Sequence, residues 1–174
     1  MLFNVAQLLQ EQIGSERRFT IDGIYPDIVE GDNTPVSGDV RLVRTNRGVL
    51  AYATVEALVR DTCSRCLGAL EMPVQVSIVE EFLPTVDVHT GQPLPRLEDD
   101  SDAFLIDDHH HLDLTEAIRQ FLVTQQPMRP LCREDCAGLC PTCGADLNQR
   151  ACDCPEEPVD DRWAALRALH VTES

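Results

Sequence analysis

The sequence predicts an α+β fold, a small antiparallel β-barrel or sheet with flanking helices and a cysteine-rich C-terminal segment. Three observations predict it. Residues 70–83 alternate between apolar and polar side chains, as a strand with one buried face does. Residues 114–124 place Ile118, Phe121 and Leu122 at helical spacing. Six of the eight cysteines fall between Cys132 and Cys154. The expected division is a β-rich core domain with helices over residues 1–130. A cysteine-rich segment with a C-terminal helix, residues 131–174, is expected to pack on it.

Asn4 to Gln12 reads as a short amphipathic helix, with Val5, Leu8, Leu9 and Gln12 on one face and Gly14 ending it. Arg17 to Tyr25 reads as a strand, and residues 26–35, rich in Asp, Gly and Pro, as a loop. Residues 40–60 form a hairpin around Asn46-Arg47-Gly48, with Gly48 expected in a left-handed conformation. In the strand Leu70 to Leu83, one face takes Leu70, Met72, Val74, Val76, Ile78 and Phe82. The other takes Glu71, Gln75, Ser77 and Glu81. Pro73 lacks an N–H, which places its stretch at a sheet edge. Thr85 to Asp102 is an acidic, proline-bearing loop, and Phe104 to Ile106 a short strand. The helix Leu114 to Thr124 starts from Asp113 as N-cap, with Glu116 in a capping-box position, and ends before Pro127. A last helix, Asp161 to His170, puts Trp163, Leu166 and Leu169 on one side.

The chain has 174 residues, 43% of them apolar, enough for a real core, while aromatics at 5% leave that core to Val, Leu, Ile and Ala. No run approaches the roughly 20 apolar residues of a membrane helix. Residues 1–14 make a poor secretory signal, and the expected compartment is the reducing cytoplasm. All fourteen basic residues are arginine, and the formal net charge is -16. The lack of lysine excludes Schiff-base and P-loop chemistry. The acidic excess disfavours broad attraction to nucleic acid and suits either a basic partner or simple solubility.

The cysteines carry the strongest chemical signal. Cys63-Ser64-Arg65-Cys66 is one Cys-x-x-Cys pair, and Cys140-Pro141-Thr142-Cys143-Gly144 is another. Cys132, Cys136, Cys152 and Cys154 complete the set. A Cys-x-x-Cys turn sets two sulfurs on one side, within reach of a single ion, and a glycine after it frees backbone N–H groups to face the thiolates. Disulfides fit an exported chain better than this one. Thioredoxin-like redox chemistry needs a helix after the motif, whereas a strand follows Cys66. An iron–sulfur cluster uses the same ligands. Structural zinc is the leading expectation, with two ions for eight thiolates. Cys140, Cys143, Cys152 and Cys154 are expected to make one site, and Cys63, Cys66, Cys132 and Cys136 the other, tying the C-terminal segment to the strand pair. A swapped division uses the same ligands. Such sites keep no open coordination position, so they stabilise and do not activate water. Arg65, Arg133 and Arg150 are placed to offset their charge or to lie on the surface.

No other feature competes. His109, His110 and His111 read as a polar loop rather than a metal site. No nucleophile elbow, phosphate loop or His-Glu-x-x-His occurs. Arg41, Arg44, Arg47, Arg60 and Arg65 concentrate positive charge around the hairpin. They are either a local RNA contact or a solvated sheet face countered by Glu56 and Asp61.

The order of these pieces resembles a known family. It runs from the hairpin ending in Cys63-Ser64-Arg65-Cys66, through the alternating strand, acidic stretch and helix, to Pro127-Met128-Arg129-Pro130-Leu131-Cys132. Cys140 to Asn148 and Asp161-Arg162-Trp163-Ala164-Ala165-Leu166 follow. Together they resemble the YceD family of bacterial large-subunit ribosomal RNA accumulation proteins. That family usually has proline where Asp161 stands. The resemblance implies a cytoplasmic factor needed for normal levels of large-subunit ribosomal RNA and supplies no catalytic residue; the leading expectation is a non-catalytic ribosome-assembly factor. Its expected partner is a basic large-subunit ribosomal protein or a pre-ribosomal particle, with ribosomal RNA also open and no membrane. The alternatives are a direct RNA-binding module, an RNA-processing nuclease or a thiol redox enzyme.

Overall fold

Strands dominate the computed structural model, which describes residues 1–29, 32–95, 102–155 and Arg162. Among these residues lie β1 (Leu2–Asn4), α1 (Ala6–Gln10), β2 (Glu16–Val29), β3 (Asp32–Arg44), β4 (Val49–Thr62) and β5 (Ala69–Pro84). They are followed by β6 (Phe104–Ile106), β7 (His111–Asp113) and α2 (Thr115–Gln125). The chain divides into two units. The first is Met1–Asp61 with Leu70–Pro130, and the second is Thr62–Ala69 with the chain from Leu131 on.

The first unit is one sheet in the order β1-β7-β6-β5-β4-β3-β2. Strict alternation buries Val49, Ala51, Ala53, Val55, Ala57 and Val59 of β4. The antiparallel register sets Leu42, Val40 and Val36 of β3 opposite Ala51, Ala53 and Ala57, so one face is apolar across both strands. Val74, Val76, Ile78 and Phe82 continue that face on β5. Leu8 and Leu9 of α1 and Ala117, Ile118 and Leu122 of α2 close over it. The sheet order leaves β1 and β2 at opposite ends, yet the rings of Phe3 and Phe19 lie 4.9 Å apart. The sheet therefore curls into a half-barrel around its core.

Several expectations are corrected. The sheet is mixed, because β6 runs parallel to β5 through the pair Phe82↔Phe104. A parallel pair needs a long crossover, and the stretch after Pro84 supplies it. Residues 26–29 and 32–35 lie in paired strands and not in a loop: Tyr25↔Thr34 and Pro26↔Asn33 are paired, with a bulge before Val29↔Asp32. Both prolines are tolerated there, Pro26 because β2 is an edge strand and Pro35 because β3–β4 pairing begins only at Val36. Pro73 likewise lies away from the β6 pairing, which covers only Phe82 to Pro84. Helix α1 is shorter than the periodicity of residues 4–12 indicated, since residues 2–4 pair with β7. Asp113 stands one residue before the N-cap position, where its Oδ1 accepts from the Thr115 N–H at 2.9 Å. Glu116 turns instead to Arg119 and Gln120. His109 to His111 do not form a plain loop. Asp107 Oδ1 accepts from the His109 and His111 N–H groups, His110 takes φ 60, and His111 opens β7. The helix expected from Asp161 to His170 lies outside the described residues, apart from Arg162.

Gly48 is not in the left-handed region. Glycine is needed there for proximity instead: the Phe82 carbonyl oxygen occupies the place a Cβ would take. Thr45 orders the turn, its Oγ1 accepting from the Gly48 N–H at 2.9 Å and donating to Glu81 Oε1 at 2.6 Å. Gly48→Ala is therefore expected to cost about 1–3 kcal/mol of stability in the first unit. A lowered urea midpoint, followed by circular dichroism, checks this.

Candidate metal centre

The second unit is built around sulfur. Among the described residues its buried side chains are Cys63, Cys136 and Cys140; no aliphatic side chain of this unit is buried. All eight cysteines are free thiols. They fall into two groups, Cys63, Cys66, Cys132 and Cys136, and Cys140, Cys143, Cys152 and Cys154, each with its four sulfurs within 4.8 Å of one another. These are the groups that sequence neighbourhood suggested.

The spacing suits a tetrahedral ion. A tetrahedron with metal–sulfur bonds of about 2.3 Å has edges of about 3.8 Å. Cys63 Sγ lies 3.8 Å from Cys136 Sγ, and Cys66 Sγ 3.7 Å from Cys132 Sγ. Each cluster can therefore hold one metal ion, and zinc is compatible with the donor set.

Two matching turns create these clusters. In the first, the Cys63 N–H donates to Gly68 O at 2.9 Å and the Leu67 N–H to Cys63 O at 2.9 Å. In the second, the Cys140 N–H donates to Ala145 O at 2.8 Å and the Gly144 N–H to Cys140 O at 2.9 Å. Both need a left-handed residue just after the second cysteine. Gly144 supplies it at φ 71, whereas Leu67 does so at φ 58, against its own side chain. Gly68, the next residue, is not in the left-handed region.

The turns also aim N–H groups at sulfur. Backbone N–H groups of Cys66, Cys132 and Arg65 hold the Cys63 thiol down to about 6. Those of Cys143 and Thr142 hold Cys140 down to about 6. Beside these early thiolates two other sulfurs resist ionising: Cys136 pushes Cys132 up to about 12, and Cys143 pushes Cys154 up to about 12, with burial adding to each. A cation at the centre of each group removes that conflict.

The bonds of the neighbouring arginines go to groups other than sulfur. Arg65 Nη1 donates to Cys136 O at 2.9 Å. Arg133 pairs with Asp135 and donates to Asn148 Oδ1 at 2.8 Å. The Arg150 N–H bonds to Asp146 O. The side chain that does reach sulfur is Asn148, whose Nδ2 donates to Cys136 Sγ at 3.4 Å. Sequence reading passed it over because a lone asparagine between two cysteines looks like any turn residue.

The arginines of the hairpin are engaged locally. Arg41 pairs with Glu16 and stacks over Tyr52 at 4.2 Å. Arg44 donates to the carbonyls of Leu9, Thr45 and Gly48. Arg60 pairs with Glu71 at 2.8 Å. Arg18 and Arg41 border an open groove of about 560 Å³ that Asp39, Tyr52 and Thr54 also line. No helix among the described residues is long and apolar enough to cross a membrane.

A curled β-sheet unit and a second unit that carries two tetrathiol clusters define a cysteine-cluster protein. The chain belongs to the YceD family, described as large ribosomal RNA subunit accumulation protein, whose match covers residues 51–170. It is 34% identical over 136 residues to uncharacterised proteins of Mycobacterium tuberculosis and Mycobacterium bovis, covering 78% of this chain and 62% of each relative. It is 28% identical over 158 residues to the Large ribosomal RNA subunit accumulation protein YCED homolog 1, chloroplastic, of Arabidopsis thaliana. That match covers 79% of this chain and 49% of the plant protein. The chain thus spans less than two thirds of the length of these relatives. No solved structure matches it.

The two turns allow a direct comparison. Leu67→Gly is expected to relieve about 1 kcal/mol of backbone strain, and Gly144→Ala to add a similar amount. Thiol-reagent kinetics should therefore slow about fivefold in the first cluster and quicken about fivefold in the second, resolved by mass spectrometry of the labelled cysteines.

Proposed function

We propose that this protein is a non-catalytic, zinc-binding factor that supports accumulation and maturation of large-subunit ribosomal RNA during ribosome assembly. The observation that carries this reading is the family match, which takes in all eight cysteines and both clusters. Cys63, Cys66, Cys132 and Cys136 hold one structural zinc, and Cys140, Cys143, Cys152 and Cys154 a second. Four thiolates fill the coordination shell of each ion, so the metals secure the fold and leave no position for substrate. Residues 1–130 act as the β-rich core domain and residues 131–174 as the zinc-binding segment with its C-terminal helix. The working compartment is the cytoplasm.

The net charge of -16 supports a basic partner, a large-subunit ribosomal protein or the protein-rich surface of a pre-ribosomal particle. The hairpin arginines lend less support to a direct grip on RNA, because Arg41, Arg44 and Arg60 are already bonded to carboxylates or carbonyls. Nuclease and thiol-redox readings draw no support from a cluster with every thiol at a ligand position.

Depleting the protein in its own host is expected to lower mature large-subunit ribosomal RNA and raise its precursors, with small-subunit ribosomal RNA unchanged. Equal loss of both, or of neither, would count against the assembly role. Elemental analysis of protein purified under reducing conditions should find close to two zinc per chain. Proton competition gives a third expectation. Cys132 and Cys154 stay protonated near neutral pH without metal, so binding expels their protons and affinity falls as pH is lowered. Chelator competition at pH 6 and at pH 8 measures this, and an affinity independent of pH would exclude thiolate ligation.

A further inference from the structure

We infer that Asn148 joins the two thiol clusters into one cooperative metal-binding unit, so that filling either cluster raises the affinity of the other. The inference rests on the zinc-binding reading above and extends it to how the two sites are regulated.

Asn148 stands in the connection between Cys143 and Cys152, both of the second cluster, yet its side chain serves the first. Its Nδ2 donates to Cys136 Sγ at 3.4 Å. The orientation of the amide is fixed by its other partners. Oδ1 accepts from the Ala137 N–H at 2.8 Å and from Arg133 Nη2 at 2.8 Å, groups that only donate. Nδ2 also donates to Asp146 Oδ1 at 2.8 Å, an acceptor. Turning the amide over would set donor against donor on one side and oxygen against oxygen on the other. The N–H must therefore face the sulfur. A tetrathiolate site carries more negative charge than a divalent ion neutralises, and a hydrogen bond to sulfur offsets part of it; such outer partners commonly change metal affinity 10–100-fold.

The position of Asn148 in turn depends on the second cluster. Residues 145–148 are held beside residues 137–140 by the bridge Leu139↔Asp146. The Leu147 N–H donates to Gly138 O at 2.9 Å and the Cys140 N–H to Ala145 O at 2.8 Å. That last bond belongs to the turn that presents Cys140 and Cys143. Closing the turn on a metal fixes the segment, and the fixed segment delivers the amide to Cys136. Arg65 adds a strap from the first turn. Its carbonyl accepts from the Leu139 N–H at 3.2 Å, while its guanidinium holds Cys136 O. Gly138 permits this approach at φ 75, since a Cβ there would press on the Arg65 carbonyl. Cys136 of one cluster and Cys140 of the other thus end a single short segment that is gripped on both sides. Linkage then requires the effect to be mutual, whichever cluster fills first.

The test measures zinc affinity of the full chain by competition with a chromophoric chelator, with cobalt absorption reporting each tetrathiolate site. Removing the second cluster by C152S with C154S is expected to weaken the first about tenfold when Asn148 is present. In an Asn148→Asp background the same removal should have no further effect. That variant keeps the oxygen acceptor for Ala137 and Arg133 and loses the N–H both to sulfur and to Asp146 Oδ1. Circular dichroism of the sheet confirms that each variant keeps its first unit. In the unaltered protein both zinc ions should leave in one kinetic phase under excess chelator. Independent phases would overturn the coupling, and an equal loss of affinity with and without Asn148 would overturn the part assigned to Asn148; either would leave the zinc reading standing. Failure of the unaltered chain to take up zinc or cobalt at all would overturn the zinc reading, and the coupling with it.

Discussion

The gathering of four thiols around a place fit for one cation is the constraint on which the described part of the second unit is organised. Among its described residues the buried side chains are cysteines, and residues that bury no aliphatic group gain little from water exclusion. What it has instead is geometry. Two turns of the same hydrogen-bond pattern, one after Cys63 and one after Cys140, aim N–H groups inward and collect four sulfurs each. The opposed shifts have two origins: backbone N–H groups lower Cys63 and Cys140, while neighbouring sulfurs and burial raise Cys132 and Cys154. A divalent ion turns that opposition into cohesion.

The first unit obeys different physics. Its sheet buries valine, alanine and leucine on one face in strict alternation, and the meeting of Phe3 with Phe19 bends it around that face. The opposite face is polar and largely satisfied within itself, with Arg18 and Arg41 both bonded to Glu16 and Arg41 stacked on Tyr52. The family match begins at Ala51, inside β4, whereas β1, β2 and β3 precede it. Ala51 pairs with Leu42 and Ala53 with Val40, so the matched region completes its buried face with residues from outside it.

The periodic elements were legible in the sequence, and the short or compensated ones were not. Residues 70–83 and 114–124 announced themselves because burial on one face leaves a period that tertiary context did not override. Strands β1 and β7 have three residues each, too few to show a period, and they exist because they pair with one another. The prolines at 26 and 35 disguised two paired strands, since each sits where its missing N–H is not required. Gly48 was noticed for the wrong reason: its lack of a side chain makes room for Phe82, a residue distant in sequence. In the second unit the thiols were legible from spacing alone. Asn148 and the left-handed Leu67 were not, because their roles lie in directions and angles that residue identity does not encode.

The interleaving of the two units has a consequence for synthesis. The first turn lies between β4 and β5, so its thiols leave the translating ribosome well before their partners, with Cys66 and Cys132 separated by 66 residues. At the elongation rates of roughly 5–20 residues per second that are usual, this is a wait of about 3 to 13 s. During it, strand β5 and helix α2 can form while two unligated sulfurs stand open to oxidants and to the wrong metal. The second cluster has no such delay, since its four cysteines follow within a single short stretch. The nascent chain would thus carry its first pair of thiols as a half-built site until Cys136 emerges, shortly before Cys154 completes the second cluster.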